Sequence, residues 1–209
     1  MKNDSSQIIL RVVEIFKSIQ GEGANAGRAA VFVRLAGCNL SCWYCDTKWT
    51  DSTTMTVREI LIEVNRLSDP CEYPNNLLIW TGGEPTLQLT DEILESFGDY
   101  FNCIETNGTN PVPSKIEYIS CSPKVSPQEL KKNFARVNEF RYPVGAGDTL
   151  PDISQLPPAD NYFLSPVFLG KEKERFLKVD ENIEYSIEYI KNNPQWRLSL
   201  QLHKLLNIP

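Results

Sequence analysis

The sequence predicts an α/β fold: a partial (β/α) barrel, compact and incomplete, in a single domain over residues 1–209. Short, mainly apolar runs recur along the chain with amphipathic segments between them, which is typical of a buried parallel sheet. Polar residues follow directly after several of these runs, as active-site groups do at the carboxyl ends of barrel strands. Because 209 residues is at the lower limit for eight complete units, a partial barrel fits better.

Eight apolar or β-branched runs are predicted strands. They cover residues 8–16, 30–35, 77–80, 101–104, 116–121, 137–142, 162–164 and 198–202. Segments 122–127 and 142–158 are rich in Pro or Gly and are predicted loops within the domain.

Three helices are predicted between the strands. The first begins after Thr56, which forms a Thr-x-x-Glu capping box with Glu59 ahead of apolar residues at helical spacing. The second begins near Thr90 or Asp91, and the third near Asp180. The third helix is expected to bury three isoleucines: Ile183, Ile187 and Ile190.

Composition excludes several classes of function. A hydrophobic content of 41% supports a folded core, and a net charge of −6 argues against a nucleic-acid partner. The longest apolar stretches fall short of the ~20 residues that a membrane span needs. The amino terminus has no pattern of a secretory signal, so we expect a cytoplasmic protein that does not bind membranes.

Three of the six cysteines crowd into one loop, in the pattern Cys38-x-x-x-Cys42-x-x-Cys45. This crowding favours metal ligation over a disulfide framework. Three thiolates at this spacing can hold three corners of a [4Fe–4S] cluster and leave the fourth iron open for chemistry. A zinc knot is the alternative, but structural zinc takes four closed ligands and the only histidine, His203, lies far along the chain.

The cysteine loop and the downstream Thr81-Gly82-Gly83-Glu84-Pro85 together resemble the radical S-adenosylmethionine (SAM) superfamily. The glycines allow backbone carbonyls to approach a bound cofactor closely. The resemblance implies that the open iron binds SAM and that reductive cleavage of SAM yields a 5′-deoxyadenosyl radical. By itself, the glycine segment would also suit a tight strand-to-helix turn.

Within that superfamily the chain is most similar to the 7-carboxy-7-deazaguanine synthase family, from about residue 12 to residue 209. The matching segments are Ser18-Ile19-Gln20-Gly21-Glu22-Gly23, Phe32-Val33-Arg34-Leu35-Ala36-Gly37, Cys45-Asp46-Thr47, Glu105-Thr106-Asn107-Gly108, Ser122-Pro123-Lys124 and Gln201-Leu202-His203-Lys204. The nearest alternative is a glycyl-radical-enzyme activase, which acts on a partner protein and which the chain resembles in the cysteine loop and the Gly-Gly-Glu-Pro turn. The segment Gln20-Gly21-Glu22-Gly23 and the final Gln-Leu-His-Lys argue against this alternative.

The resemblance implies a lyase of queuosine and 7-deazapurine biosynthesis. Its substrate would be 6-carboxy-5,6,7,8-tetrahydropterin, its product 7-carboxy-7-deazaguanine, and ammonia would leave. The implied cofactors are the [4Fe–4S] cluster, SAM used catalytically, and Mg²⁺. The implied partners are a one-electron reductant such as flavodoxin or ferredoxin and a second copy of the chain in a homodimer.

The resemblance also assigns site residues. Thr47 is expected to bind Mg²⁺ through its hydroxyl, and Arg34 to hold the substrate carboxylate, which suits a planar guanidinium. The residues expected to bind SAM are Tyr44, Cys45, Asp46, Gly83, Glu84, Ser122, Pro123, Lys124, Ser165, Pro166, Val167 and Phe168. Those expected to bind the substrate are Ile19, Gln20, Gly21, Glu22, Arg34, Thr81, His203 and the carboxylate of Pro209.

Overall fold

A computed structural model describes residues 5–45, 47, 49–68, 76–167 and 181–209. The strands in this part of the chain are β1 Ile9–Ile19, β2 Ala29–Leu35, β3 Thr53–Thr56, β4 Leu77–Gly82, β5 Phe101–Thr106, β6 Tyr118–Cys121, β7 Val137–Val144, β8 Ala159–Pro166 and β9 Arg197–Leu198. The helices are α1 Val57–Leu67, α2 Asp91–Leu94, α3 Pro127–Asn133, α4 Glu181–Asn192 and α5 Leu202–Leu206.

The strands form one sheet in the order β3-β1-β2-β4-β5-β6-β7-β8-β9. From β2 to β9 every neighbouring pair is parallel, whereas β1 pairs antiparallel with both β2 and β3. Among the described residues β3 and β9 are the two edges, so the sheet is open and the predicted partial barrel is confirmed. All carboxyl ends of the parallel strands meet at one rim, where loops can carry chemistry.

The two faces of the sheet have different side chains because successive strand residues point to opposite sides. In β2, Val31, Val33 and Leu35 belong to the cluster packed against α1 and α2. The alternate residues Ala30 and Phe32 belong to a smaller cluster on the concave face. The same alternation places Arg34, Thr81, Glu105, Glu139, Arg141 and Ser165 on the concave face, and these are the side chains from which the site is built.

Helix α1 confirms the capping box predicted from sequence. The Thr56 side chain accepts a hydrogen bond from the Glu59 amide while the Glu59 carboxylate accepts one from the Thr56 amide. The helix buries Val57, Ile60 and Val64 against the sheet. Apolar burial and the cap therefore agree on where this helix begins.

Two predicted elements at the end of the chain are wrong in part. Ile187 of α4 is 38% exposed, and the fully buried positions of that helix are Asn182 and Ser186. The expected strand over residues 198–202 is short, since β9 ends at Leu198 and α5 begins at Leu202. The structure also contains β3, α3 and α5, which were not predicted.

No helix in the described ranges combines the length and the apolar character needed to cross a bilayer.

Candidate active site

The three clustered cysteines lie in the loop that follows β2, and all three line one cavity of about 460 Å³ at the rim. The Leu40 amide donates to Cys38 Sγ at 3.4 Å, and the Cys45 amide donates to the Cys42 carbonyl at 3.1 Å. Among the described residues no three Cys, His, Asp or Glu side chains converge on the position of a single metal ion. A four-iron cluster is bound at three separate irons, so its thiolates are not required to meet at one point.

The Gly82-Gly83 turn packs directly against the cysteine loop. A Cβ on Gly83 would lie 1.9 Å from the Gly37 carbonyl oxygen and 2.9 Å from the Cys38 nitrogen. The Glu84 amide donates to that same Gly37 carbonyl at 2.9 Å. The absence of a side chain at position 83 thus allows the two loops to form one wall of the cavity.

Glu84 is fully buried, and its side chain is not among those that line the cavity. Its Oε1 accepts from the hydroxyls of Thr86 and Thr106, at 2.7 and 2.9 Å, and its Oε2 accepts from the Asn107 amide at 2.7 Å. The carboxylate therefore fixes the turn after β4 to the loop after β5. Its predicted contact with a cofactor remains a prediction.

Most of the predicted SAM-binding residues surround the cavity that holds the three thiols. They are Tyr44, Cys45, Gly83, Ser122, Lys124, Ser165, Pro166 and Val167. Pro123 is not among the lining residues, and Asp46 and Phe168 lie outside the described residues. Ser165 Oγ is buried without a hydrogen-bond partner, as the one such side-chain atom in the described ranges, so it has unused capacity to bind a ligand.

Lys124 brings a cation to the same cavity. Its Nζ donates to the Ser122 carbonyl at 2.9 Å and lies 5.6 Å from the centre of the Tyr44 ring. Burial lowers the pKa of Lys124, and the nearby cysteines oppose that shift. The cavity that holds the thiols therefore also offers a donor and an aromatic face.

A second cavity, of about 670 Å³, adjoins the first. All eight residues predicted to bind the substrate line it: Ile19, Gln20, Gly21, Glu22, Arg34, Thr81, His203 and Pro209. The chain terminus closes one side, because the Leu202 amide donates to the Gly21 carbonyl at 3.1 Å and the Ser18 hydroxyl donates to a Pro209 oxygen at 2.8 Å. Two segments distant in sequence thereby form one wall.

Arg34 reaches this cavity from the concave face of β2. Its Nε donates to Glu14 Oε1 at 2.7 Å, and its guanidinium carbon lies 5.7 Å from the centre of the Phe16 ring. Phe16 in turn stacks on Phe32 at 5.0 Å. With Nε occupied by Glu14, the two terminal nitrogens of Arg34 form the edge that can pair with a carboxylate.

The two cavities share part of their lining. The shared residues are Glu22, Thr47, Thr81, Glu105, Gln201 and Lys204. A ligand beside the thiols and a ligand in the larger cavity would therefore contact opposite sides of the same side chains. In this arrangement a reactive group formed on one ligand could act directly on the other ligand without first passing through solvent.

A buried group of charged side chains lies beneath this junction. Glu105 accepts from Arg141 Nη2 at 2.7 Å, from the Thr81 hydroxyl at 2.7 Å and from Gln20 Nε2 at 3.1 Å. Burial by itself would raise the pKa of Glu105, but Arg141 and these donors lower it to about 2. Glu105 is thus a carboxylate at any physiological pH, and it presents a fixed acceptor to both cavities.

Arg141 and Glu139 were not among the site residues predicted from sequence. Glu105 was included there only as part of a segment that matches the family. The signal was present in β7, where Glu139 and Arg141 interrupt an apolar run and yet are only 2% and 4% exposed. From sequence alone, a charged residue in an apolar strand could equally face outward to solvent. The register of β7 in the sheet is what places these two side chains on the concave face.

The two scattered cysteines within the described residues are core residues. Cys103 and Cys121 are 4% and 0% exposed. Burial raises the pKa of the Cys103 thiol to about 12, and it raises that of Cys121 further. Both are therefore neutral thiols that fill space, while Cys71 lies outside the described residues.

Comparisons with known proteins identify relatives of this chain. Residues 32–143 match the Radical SAM superfamily. The chain is 39% identical to the 7-carboxy-7-deazaguanine synthase of Bacteroides thetaiotaomicron over 95% of its own length and 98% of the relative. It is 38% identical to the protein of the same name from Haemophilus influenzae, over 94% and 93% of the two chains.

The fold is also similar to a solved one. The crystal structure of QueE from Escherichia coli superposes with a TM-score of 0.67 at 24% identity, over 97% of this chain and 99% of that one. At this identity the likeness concerns the fold alone. It supports the open arrangement of strands described above.

Proposed function

Because the chain belongs to the 7-carboxy-7-deazaguanine synthase family of the radical SAM superfamily, we propose that it contracts the ring of 6-carboxy-5,6,7,8-tetrahydropterin to 7-carboxy-7-deazaguanine with loss of ammonia. The observation that carries the proposal is the pair of adjoining cavities. One is lined by the three thiols and the other by the predicted substrate residues, and six residues belong to both.

The residues around the smaller cavity fit the cofactors of the superfamily. Cys38, Cys42 and Cys45 would hold the [4Fe–4S] cluster, whose fourth iron binds SAM. The unpartnered Ser165 Oγ and the backbone at Gly83 would contact SAM itself. When bound, the cluster and SAM supply the radical that removes a hydrogen atom from the substrate.

The chain's own residues orient the substrate in the larger cavity. A pterin presents an amide and an exocyclic amine along one edge, and carboxylate acceptors such as Glu22 and Glu105 suit such donors. Arg34 would hold the substrate carboxylate through its terminal nitrogens. Thr81 hydrogen-bonds to Glu105 at 2.7 Å and so keeps that acceptor at the junction.

We further propose that Thr47 binds Mg²⁺, since this residue lines both cavities at their junction. A hard cation takes oxygen ligands and often keeps several waters, so one protein hydroxyl together with the substrate carboxylate is an acceptable set. Such an ion would orient the carboxylate during rearrangement.

The remaining parts of the proposal concern the surroundings of the enzyme. The chain forms one domain, acts as a homodimer and takes electrons from a flavodoxin or ferredoxin. The five described cysteines are free thiols, which suits a reducing compartment such as the cytoplasm.

Anaerobic reconstitution followed by turnover tests the function. The protein is loaded with iron and sulfide and incubated with carboxytetrahydropterin, SAM, Mg²⁺ and a reductant. Formation of the deazaguanine chromophore with release of ammonia is expected. About one zinc per chain, no sulfide and no cleavage of SAM would contradict the proposal.

A further inference from the structure

Arg141 is a buried cation beside the substrate cavity, and it contacts three carboxylates. Its side chain is 5% exposed. Nη2 lies 2.7 Å from Glu105 Oε1, Nε lies 3.1 Å from Glu139 Oε1, and Nη1 lies 3.4 Å from Glu22 Oε2. These carboxylates come from β5, from β7 and from the loop after β1, so one guanidinium connects three separate parts of the wall.

Glu139 extends this connection to the backbone of the loop formed by residues 20–24. Its Oε2 accepts from the Ala24 amide at 2.8 Å and from the Tyr118 hydroxyl at 2.9 Å. A Cβ on Gly23 would lie 2.2 Å from Glu139 Oε1, and Gly23 has a φ of +70°. The loop therefore sits directly on this carboxylate, in a conformation that favours glycine.

The three carboxylates in this group differ in their exposure. The side chain of Glu139 is 3% exposed, whereas those of Glu22 and Glu105 are 18% and 27% exposed, and both of these residues line the two cavities. Two of the three carboxylates are thus held at the surface of the cavities, where a ligand rich in hydrogen-bond donors can reach them.

We propose that Arg141 is a positioning residue for substrate binding, an inference that rests on the proposed function. Together with Glu139 it fixes Glu22 and Glu105 so that their carboxylates face the donors of the pterin edge. The planar guanidinium is needed for this, because Nη1, Nη2 and Nε donate in a fixed plane to Glu22, to Glu105 and to the Ser120 hydroxyl, which in turn donates to Glu139. A lysine ammonium is instead a point charge on a flexible stem.

The test compares Arg141→Lys with Glu139→Gln and with the control Arg136→Lys, whose side chain is 57% exposed and pairs with Asp160. Arg141→Lys is expected to raise KM for the pterin about tenfold or more while the iron content stays unchanged. KM for SAM is expected to rise by a smaller factor, because Glu22 and Glu105 also line the cavity beside the thiols. Glu139→Gln is expected to change the pterin KM in the same direction by a smaller factor. The control should behave as the wild type.

Amide hydrogen exchange provides a readout that does not depend on turnover. Residues 22–24 should exchange faster in Arg141→Lys and Glu139→Gln than in the wild type, while β2 and β4 keep their protection. Unchanged exchange at residues 22–24 with an unchanged pterin KM would overturn the proposal, as would an equal rise in the KM of both ligands. If Arg141→Lys does not fold, the same two measurements on Glu139→Gln test the proposal. If the wild type does not convert the pterin, the proposed function fails, and the exchange comparison still tests whether Arg141 and Glu139 fix residues 22–24.

Discussion

Replacement of Gly83 by alanine tests the contact between the glycine turn and the cysteine loop. Nonbonded heavy atoms essentially never approach a Cβ to within 3.0 Å, and the new methyl group would lie 1.9 Å from the Gly37 carbonyl oxygen. The backbone of one loop must therefore move by at least 1.1 Å, the difference between these two distances. Since Cys38 follows Gly37, movement of the cysteine loop would displace the first of the three proposed thiolate ligands.

The expected cost has two parts. Overpacking against backbone destabilises the fold by about 1–3 kcal/mol. A displacement of ~1 Å at a reacting centre lowers the rate about a hundredfold. Iron and sulfide per chain, SAM cleavage in single turnover and thermal unfolding of the apo-protein measure these effects separately.

Gly98→Ala is the matched control for this substitution. Gly98 has a φ of −64°, and the nearest atom to its added Cβ is 3.6 Å away. Alanine there should leave activity unchanged and stability equal or slightly higher. Wild-type cluster content and wild-type SAM cleavage in Gly83→Ala would refute the argument that the two loops form one wall.

Three further substitutions test separate parts of the site. Ser165→Ala should raise KM for SAM about two- to tenfold, the worth of one hydrogen bond, and an unchanged KM would show that its hydroxyl binds no cofactor. Thr47→Ala should abolish stimulation of turnover by Mg²⁺, whereas Thr47→Ser should retain it. If Mg²⁺ stimulates the alanine variant as much as the serine variant, Thr47 is not a ligand of the ion. Glu105→Gln should destabilise the apo-protein at pH 7, as measured by urea unfolding. Because the pKa of Glu105 is lowered to about 2, its stabilising effect is present above its unfolded value of about 4.3 and is lost as pH falls from there towards 2. The difference from wild type should therefore shrink over that window, and a constant difference would contradict the assigned pKa.

The parallel part of the sheet was predictable from sequence because its strands are buried on both faces. Runs such as those of β2 and β4 are nearly all apolar, and this pattern identifies them without any knowledge of register. Strand β3 was missed because Thr53–Thr56 is polar and half exposed at the sheet edge. Its identity depends on pairing with β1, which is not visible in local sequence.

Helix α3 was missed for a different reason. Ser126 and Glu129 form a full capping box, and this signal is present in the sequence. Pro127 follows the serine and ends the Pro-rich segment that is predicted to be a loop. Proline also suits the first position of a helix, however, and it occupies that position here. The inward face of α4 was predicted by assuming apolar burial, whereas Asn182 is buried because it binds the loop at Ala146 and the carbonyl of Val167.

The residues of the candidate site also fall into those that could be predicted from sequence and those that could not. Residues in motifs with unusual spacing, such as the three cysteines, could be identified before any fold was known. Residues whose role depends on which face of a strand they occupy could not, and Arg141 is the clearest example. Its three carboxylate contacts join segments separated by up to 119 positions in sequence, and only the register of the sheet brings them together.

Carboxytetrahydropterin labelled with deuterium at C6 tests whether the two adjoining cavities form one site in which the radical derived from SAM acts directly on the pterin. SAM and 5′-deoxyadenosine are recovered after anaerobic turnover and analysed by mass spectrometry. We expect deuterium to pass from the substrate into the recovered adenosyl group while deazaguanine accumulates. Deazaguanine formed without any deuterium in the adenosyl group, or SAM cleaved with the labelled pterin untouched, would contradict this expectation.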